Sequence, residues 1–335
     1  MKILCCYGLE WEKDYLKQKL PNCEIVFVQG STRDCPKKVD ASIEALCVFI
    51  NSPVSAEFLA QFPQLKFIAT RSTGIDHIDL RAAQKNNIVV SSVPAYGKCC
   101  VAEYTLGLML NLSRRIYQAC QLPCEGKFFA SEMIGFDLMN STLGVIGTGA
   151  IGIRVVQLAR AFGMNVLACD TRPNQPLASE FGFSYVTLEQ LLSQAHVVTL
   201  HVNYNKSTHH LINRENIKKM RHGAYLINTA RGAVVETAAL VQGLHDGKLA
   251  GVALDVLEEE AAMDDEMCLL LDKQAAAQKL QIVLANHYLA RHPNVIISPH
   301  NAYNTIQACQ STWDVTVENI KAFAAGAPAH VVQYD

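Results

Sequence analysis

Several broad functions are excluded by what this sequence does not contain. It has no basic excess: 29 lysines and arginines face 31 aspartates and glutamates, for a net charge of −2. No long run of one sign appears either, so the charge pattern of a nucleic-acid binder is missing. No apolar stretch reaches the ~20 residues that span a bilayer. The most apolar one, Val101 to Leu112, contains Glu103 and stops before Arg114-Arg115. The opening Met1-Lys2-Ile3-Leu4-Cys5-Cys6-Tyr7-Gly8 reads as a strand, too short for a signal peptide. The twelve cysteines include no Cys-x-x-Cys pair. Cys5-Cys6 and Cys99-Cys100 are adjacent pairs, which suit zinc poorly, so no metal site is expected. Many cysteines lie inside apolar runs and read as small buried hydrophobes, reduced in a cytoplasmic protein. Low-complexity segments are also lacking.

What is present centres on residues 143–170. The apolar run Leu143-Gly144-Val145-Ile146 leads into Gly147-Thr148-Gly149-Ala150-Ile151-Gly152, a G-x-G-x-x-G pattern. Behind it Ile151, Val155, Leu158 and Phe162 recur at helical spacing, and Asn165 to Cys169 forms a second apolar run ending at Asp170. This strand–turn–helix–strand context is what a dinucleotide fingerprint requires. Gly147 permits the tight turn, Gly149 lets pyrophosphate approach the backbone, and Gly152 allows close helix–strand packing. The phosphates would sit on the helix N-terminus. Asp170 would accept from the adenosine ribose hydroxyls and repel a 2′-phosphate, favouring NAD, with Arg172 nearby as a counterweight. The bland alternative is a βαβ unit that binds nothing.

A chain of 335 residues can build two domains. Before the fingerprint, apolar runs at Ile3–Tyr7, Glu24–Val28, Ala45–Ile50, Leu65–Ala69 and Ile88–Val90 alternate with segments such as Glu10–Leu20 and Ser55–Gln61, the pattern of a parallel sheet buried on both faces. The loop Arg71-Ser72-Thr73-Gly74-Ile75-Asp76-His77 could offer backbone N–H groups to an anion, or be a plain turn before a helix starting near Asp79. Val93-Pro94-Ala95-Tyr96-Gly97 reads as a hinge. The helix expected over Val101–Ala119 is apolar on nearly every face, so it is either buried within its own domain or covered by a second copy, a homodimer. After the fingerprint, strands are expected at His196–Val202, Ala224–Asn228, Leu249–Val256 and Val295–Pro299. Helices are expected at Asn213–Met220, Glu236–His245 and Thr305–Ala325, and 259–293 reads as helix and excursion. The fold class is therefore α/β: two Rossmann-like or flavodoxin-like doubly wound parallel-sheet domains with an interdomain cleft for substrate. The first comprises 1–98 with 300–335 and the second, binding NAD, 99–299.

Three stretches at strand ends carry candidate catalytic groups. Arg231, in Asn228-Thr229-Ala230-Arg231-Gly232, can hold a carboxylate in bidentate fashion and polarise a carbonyl. Asp255-Val256-Leu257-Glu258-Glu259-Glu260 supplies carboxylates, and Ser298-Pro299-His300-Asn301-Ala302-Tyr303 a histidine. Reduction of a ketone by hydride needs a proton donor, which histidine suits with its ordinary pKa near 6.5. A neighbouring carboxylate would raise that value and orient the ring. Spacing does not select among Glu258, Glu259 and Glu260.

These motifs, with the fingerprint and the Arg71–His77 loop, together resemble the D-isomer-specific 2-hydroxyacid dehydrogenase family, in the family's order and over nearly the whole chain. Val93-Pro94-Ala95-Tyr96, Val101-Ala102-Glu103 and Leu112-Ser113-Arg114-Arg115-Ile116 are most similar to its D-lactate dehydrogenase branch. The resemblance implies that Arg231 holds substrate, His300 is the acid/base and Glu260 supports it. It also implies that Thr73 and Gly74 bind the carboxylate through N–H groups, and that Tyr96 and Tyr303 line the side-chain pocket. Cofactor contacts are implied for Gly147, Gly149, Ala150, Ile151, Gly152, Asp170, Val202, Asn203, Thr208, Thr229, Ala230, Arg231 and Asp255. Asn203 stands where many members carry proline. A preference for bulkier branched or phenyl keto acids is the runner-up. The family fold also serves NAD-binding corepressors, which would need a partner-binding extension or tail that is not expected here.

Overall fold

The computed structural model describes residues 1–36, 40–94, 96–129, 131, 133–264 and 277–333. The chain divides into two compact units, Met1–Tyr96 with Thr305–Asp335, and Gly97–Asn304.

The first unit is built on five parallel strands, β1 Lys2–Tyr7, β2 Glu24–Gln29, β3 Ala45–Val48, β4 Phe67–Thr70 and β5 Val89–Ser91, in the order β2-β1-β3-β4-β5. Period-two alternation explains why the runs read as continuously apolar. Leu4, Cys6, Leu46, Val48 and Ile68 enter one core, while Ile3, Cys5, Ala45, Cys47, Phe67 and Ala69 enter another on the opposite face. The second core is closed by Trp313, Val317 and Ile320 of the C-terminal helix Ile306–Ala324, which Thr305 caps. Arg71, at the end of β4, is spent here: its guanidinium meets Glu12 Oε1 and the Cys6 carbonyl, each at 3.1 Å, and stacks 4.1 Å over Trp313. It is a structural tie.

The second unit carries seven parallel strands. In chain order they are β6 Thr142–Ile146, β7 Asn165–Cys169, β8 Ser184–Tyr185, β9 Val197–Leu200, β10 Ala224–Asn228, β11 Leu249–Leu254 and β12 Val295–Ile297, arranged β12-β11-β10-β9-β6-β7-β8. This is the doubly wound dinucleotide-binding order with one added strand, and its order reverses between β6 and β9. All strands are parallel, so their carboxyl ends share one edge.

Four local expectations are corrected. The helix expected over 101–119 is two helices, Lys98–Arg114 and Ile116–Gln121, broken at Arg115, where φ is +50° and the Asn111 side chain accepts from Tyr117 N. The helix expected at 213–220 is only a short 3₁₀ turn, Ile217–Lys219, because Asn213 Oδ1 captures the N–H groups of Glu215 and Asn216. The fully buried side of the fingerprint helix Ala150–Ala161 is Gly152, Ile153, Val155, Val156 and Ala159; Ile151 and Leu158 are half-buried and Phe162 is exposed. The helix packs on two sides, against the sheet and against Lys98–Arg114, which rotates the stripe. Residues 300–304 belong to the second unit, not the first, because Asp255 on β11's end ties down the segment they begin. Part of 259–293 is resolved into helices Glu260–Asp264 and Ala277–Arg291; 265–276 lies outside the described residues.

Candidate active site

The three fingerprint glycines answer to three constraints. Gly147 has φ +92°, and a Cβ there would lie 2.4 Å from the His201 carbonyl and 2.9 Å from Val202 Cγ1, so the β6 turn abuts the end of β9 at the switch point. A Cβ on Gly152 would lie 1.9 Å from the Gly147 carbonyl. A Cβ on Gly149 would meet nothing within 4 Å: its neighbourhood is open. Gly149 is also the N-cap of Ala150–Ala161 and gives no side-chain cap, so the first-turn N–H groups face that open space. Open backbone, uncapped donors and the helix dipole fit a pyrophosphate. Ala150 is exposed and Ile151 half-buried in this first turn.

At the end of β7, Asp170 Oδ2 accepts from Thr148 N at 2.6 Å and Thr148 Oγ1 at 2.9 Å, and Oδ1 from Arg172 N at 2.9 Å. Burial pushes its carboxyl up, but these bonds outweigh it and hold the group below the usual range. Tyr185 OH, 2.8 Å from Thr148 Oγ1, completes a lock on the acid that sequence reasoning did not single out. Beyond β9, Val202 is half-buried and Asn203 exposed, and Thr208 Oγ1 donates to the Asn203 carbonyl at 2.7 Å. His201 is held neutral, its pKa pushed down to about 3 by burial.

Beyond β10, the Asn228 side chain braces the turn, accepting from Ala230 N at 3.0 Å and donating to the Arg231 carbonyl at 2.9 Å. Thr229 Oγ1 lies 3.0 Å from Thr105 Oγ1. Arg231 is half-buried, with Nη1 donating to the Ala230 carbonyl at 2.7 Å. Beyond β11, Asp255 is buried. It accepts from Ser298 Oγ at 2.6 Å, Asn301 N at 2.8 Å and Ala302 N at 2.9 Å. Burial raises its carboxyl; the Ser298, Ala302 and Asn301 bonds and His300 partly offset this.

His300 follows β12 with φ +49°, its N–H on the Asp255 carbonyl at 2.9 Å. A left-handed histidine is strained, and such strain persists where surroundings enforce it. Its Nδ1 lies 3.6 Å from Glu260 Oε1: an ion-pair distance, too long for a hydrogen bond. Tyr303 packs edge-on to it, centroids 6.3 Å apart.

The three glutamates, equivalent in sequence, now separate. Glu258 is buried on Thr237 and His210, Glu259 pairs with Lys279 at 3.1 Å near the surface, and Glu260 alone of the three pairs with His300. Within the second unit the structure thus gathers the glycine turn, Asp170, Thr229–Arg231, Asp255, Glu260 and His300 at or beyond one sheet edge. Thr73, Gly74 and Tyr96 lie in the first unit. Thr73 is exposed, with Oγ1 donating to the Val93 carbonyl at 2.7 Å, and the Gly74 carbonyl accepts from Ser72 Oγ at 2.6 Å. Tyr96 is half-buried.

A doubly wound sheet with an uncapped glycine turn at its switch point and an arginine, a glutamate and a histidine at the same edge defines a dinucleotide-dependent oxidoreductase. The family model described as "D-isomer specific 2-hydroxyacid dehydrogenase, NAD binding domain" matches residues 106–302. A 2-hydroxyacid dehydrogenase homolog of Haemophilus influenzae is 36% identical over 330 residues, 97% of each chain. An aromatic 2-oxoacid reductase of Clostridium sporogenes is 36% identical over 77% of this chain and 76% of its own. The crystal structure of D-lactate dehydrogenase from Aquifex aeolicus, complexed with NAD and lactic acid, superposes with a TM-score of 0.84 at 36% identity, covering 97% of this chain and 96% of that one. The chain belongs to the D-isomer-specific 2-hydroxyacid dehydrogenase family, and is an oxidoreductase that acts on CH–OH donors with NAD. Among the described residues, no helix is long and apolar enough to cross a membrane.

Proposed function

We propose that this protein is a D-lactate dehydrogenase reducing pyruvate. The carrying observation is Glu260 Oε1 lying 3.6 Å from His300 Nδ1, beyond the same sheet edge as Arg231. Bound NADH supplies the hydride. Arg231 holds the substrate carboxylate and polarises the carbonyl, and the Glu260 carboxylate beside Nδ1 favours the protonated ring. His300 then delivers its proton from Nε2 to the carbonyl oxygen. Thr73, Gly74, Tyr96 and Tyr303 are our candidates for further substrate contacts. The glycine turn with Ala150 and Ile151, Asp170, and Val202, Asn203, Thr208, Thr229, Ala230, Arg231 and Asp255 are those for the cofactor. The likeness to the Aquifex enzyme and its lactic acid complex supports the lactate reading. The Clostridium relative favours a second one, an aromatic or branched 2-keto acid. A panel of 2-keto acids ranked by kcat/KM with NADH, with product chirality determined, decides. We expect pyruvate first and a D product; a larger acid ranked first rejects lactate.

Asp170 is our determinant for NAD. Asp170→Ala removes charge-assisted bonding to the ribose; a net loss of one such bond, about 1.5–3 kcal/mol, lowers kcat/KM for NADH roughly 10- to 100-fold. Use of NADPH rises relative to NADH once the charge is gone. An unchanged ratio of the two in steady-state assays rejects the assignment.

We further propose a homodimer through the 101–119 region. Glu103, Gly107 and Arg114 mark an uncovered face of Lys98–Arg114. Just beyond it Ile116, Tyr117, Phe128, Phe129 and Ile134 are exposed, Phe128 by 87%. Light scattering should find a dimer for the unaltered protein and a monomer for Phe128→Ser/Phe129→Ser; a dimeric double variant removes this surface from the interface. The eleven free thiols among the described residues suit a reducing compartment, and we place the enzyme in the cytoplasm.

A further inference from the structure

We infer that Glu258, two residues before the proposed histidine partner, is a positioning residue that locks the Glu260 segment against the Arg231 segment. Its carboxylate is 9% exposed and joins three elements. Oε2 accepts from Thr237 N at 3.1 Å and Thr237 Oγ1 at 2.8 Å, and Oε1 lies 2.7 Å from His210 Nε2. Thr237 opens the helix Thr237–His245, whose own N-cap residue, Glu236, gives no side-chain cap. The Glu258 carboxylate therefore serves as that cap from a distant loop, where an anion is stabilised by free N–H groups and the helix dipole. The backbone is held as well: the Glu258 carbonyl accepts at 2.8 Å from Asn286 Nδ2, which is fully buried in Ala277–Arg291.

The Arg231 segment is bound to the same hub. A Cβ on Gly232 would lie 2.0 Å from the Leu257 carbonyl and 2.4 Å from Glu258 N, so the two backbones touch directly. His210, whose ring meets Glu258, also donates its backbone N–H to the Ala233 carbonyl at 2.9 Å and is itself left-handed, with φ +49°. Immediately after the hub, Glu259 takes φ +56°, which turns the chain so that Glu260 reaches His300. The Glu259–Lys279 pair lies where water screens it, and contributes little to this turn. A left-handed glutamate persists only where its surroundings hold it; the anchored Glu258 is its N-terminal neighbour. Arg231 and Glu260 thus hold their places relative to one another through the buried Glu258 carboxylate.

This inference rests on the roles proposed above for Arg231 and Glu260, so Glu260→Gln is measured alongside. Misplacement of a catalytic group by about 1 Å costs about 10²-fold. For Glu258→Ala we expect kcat with pyruvate to fall by about that factor. The NADH dissociation constant, read by fluorescence, should change far less than kcat, because the glycine turn and Asp170, our candidates for the pyrophosphate and ribose, lie on other strands. The midpoint of its pH–kcat profile should move in the same direction as in Glu260→Gln. Glu258→Gln, which keeps an acceptor for Thr237 and offers an N–H to His210, should recover most of the rate. Rates are normalised to NADH-binding sites, so lost folding alone does not register as lost kcat. If Glu258→Ala does not fold, Thr237→Val, which removes one bond to the carboxylate, should show a smaller fall with the same profile shift. A normal kcat per NADH site in Glu258→Ala, or an unmoved profile beside a moved one in Glu260→Gln, overturns the inference. A Glu260→Gln enzyme with unaltered rate and profile overturns it too, and locates the failure in the role given to Glu260.

Discussion

Replacing His300 with alanine lowers kcat for pyruvate by about 10²–10⁴-fold, the range a positioned general acid contributes, and leaves NADH binding close to that of the unaltered enzyme. The backbone around position 300 is held independently of its side chain. His300 N donates to the Asp255 carbonyl, and the Asp255 carboxylate takes Asn301 N and Ala302 N, so the segment stays anchored whatever side chain position 300 carries. The ring is partly exposed, and its removal opens no core cavity. Relief of the left-handed conformation is small, since alanine at φ +49° is strained as well. The cofactor turn at Gly147–Gly152 follows β6, whereas His300 follows β12 at the far end of the sheet order. Loss should therefore appear in kcat, with substrate KM and NADH affinity nearly unmoved, the signature of a group that acts only in the transition state. Stopped-flow single turnover with NADH fluorescence measures the two separately. Turnover within about tenfold of the unaltered enzyme would be too little for a lost general acid, and would give the proton-transfer role to another group.

Sequence legibility followed the range of the interactions concerned. Strands are legible because a parallel sheet buried on both faces leaves unbroken apolar runs: Asn165–Cys169 and Ala224–Asn228 match to the residue and most others within a few, while the two-residue strand Ser184–Tyr185 leaves no such run. The glycine fingerprint was legible because its three glycines sit within six residues of one another in a fixed pattern, although Gly147 is pressed by the distant His201 and Val202; each meets the contact, or the open space, its position demands. Helix ends decided by side chains that compete with the backbone were not, as at Asn213 and at Asn111 with Arg115. Nor was the difference among Glu258, Glu259 and Glu260, because their partners Thr237, Lys279 and His300 are far off in the chain and at unrelated spacings. The place of residues 300–304 in the second unit is illegible for the same reason: the bonds from Asp255 to residues 298–302 cross more than forty residues. Composition gives no sign that an aspartate at the end of an apolar strand serves as a loop anchor.

Arg231 should respond differently from His300, and the contrast tests the division of labour between them. Removing one partner of a buried, hydrogen-bonded charge pair costs about 2–5 kcal/mol, so Arg231→Ala should lower kcat/KM for pyruvate roughly 30- to 5,000-fold. Part of that loss belongs in KM, because a carboxylate is held in the ground state as well as in the transition state. The rest belongs in kcat, because a carbonyl is polarised only as charge develops on its oxygen. Lysine does not restore the arrangement. Its ammonium keeps the charge but not the planar fork that reaches a carboxylate and a carbonyl together. The turn leaves little freedom to compensate: Asn228 braces the Arg231 carbonyl, and Gly232 is pressed against the Leu257–Glu258 peptide. Arg231→Lys is therefore expected to recover KM in part and kcat hardly at all. An uncharged analogue such as pyruvamide supplies the control. With no carboxylate to hold, it should suffer less from Arg231→Ala than pyruvate does, and the difference isolates the carboxylate contact as a double-mutant cycle does. If pyruvate and pyruvamide lose equally, Arg231 acts on the carbonyl or on the fold of its turn, and the carboxylate must be held by other groups.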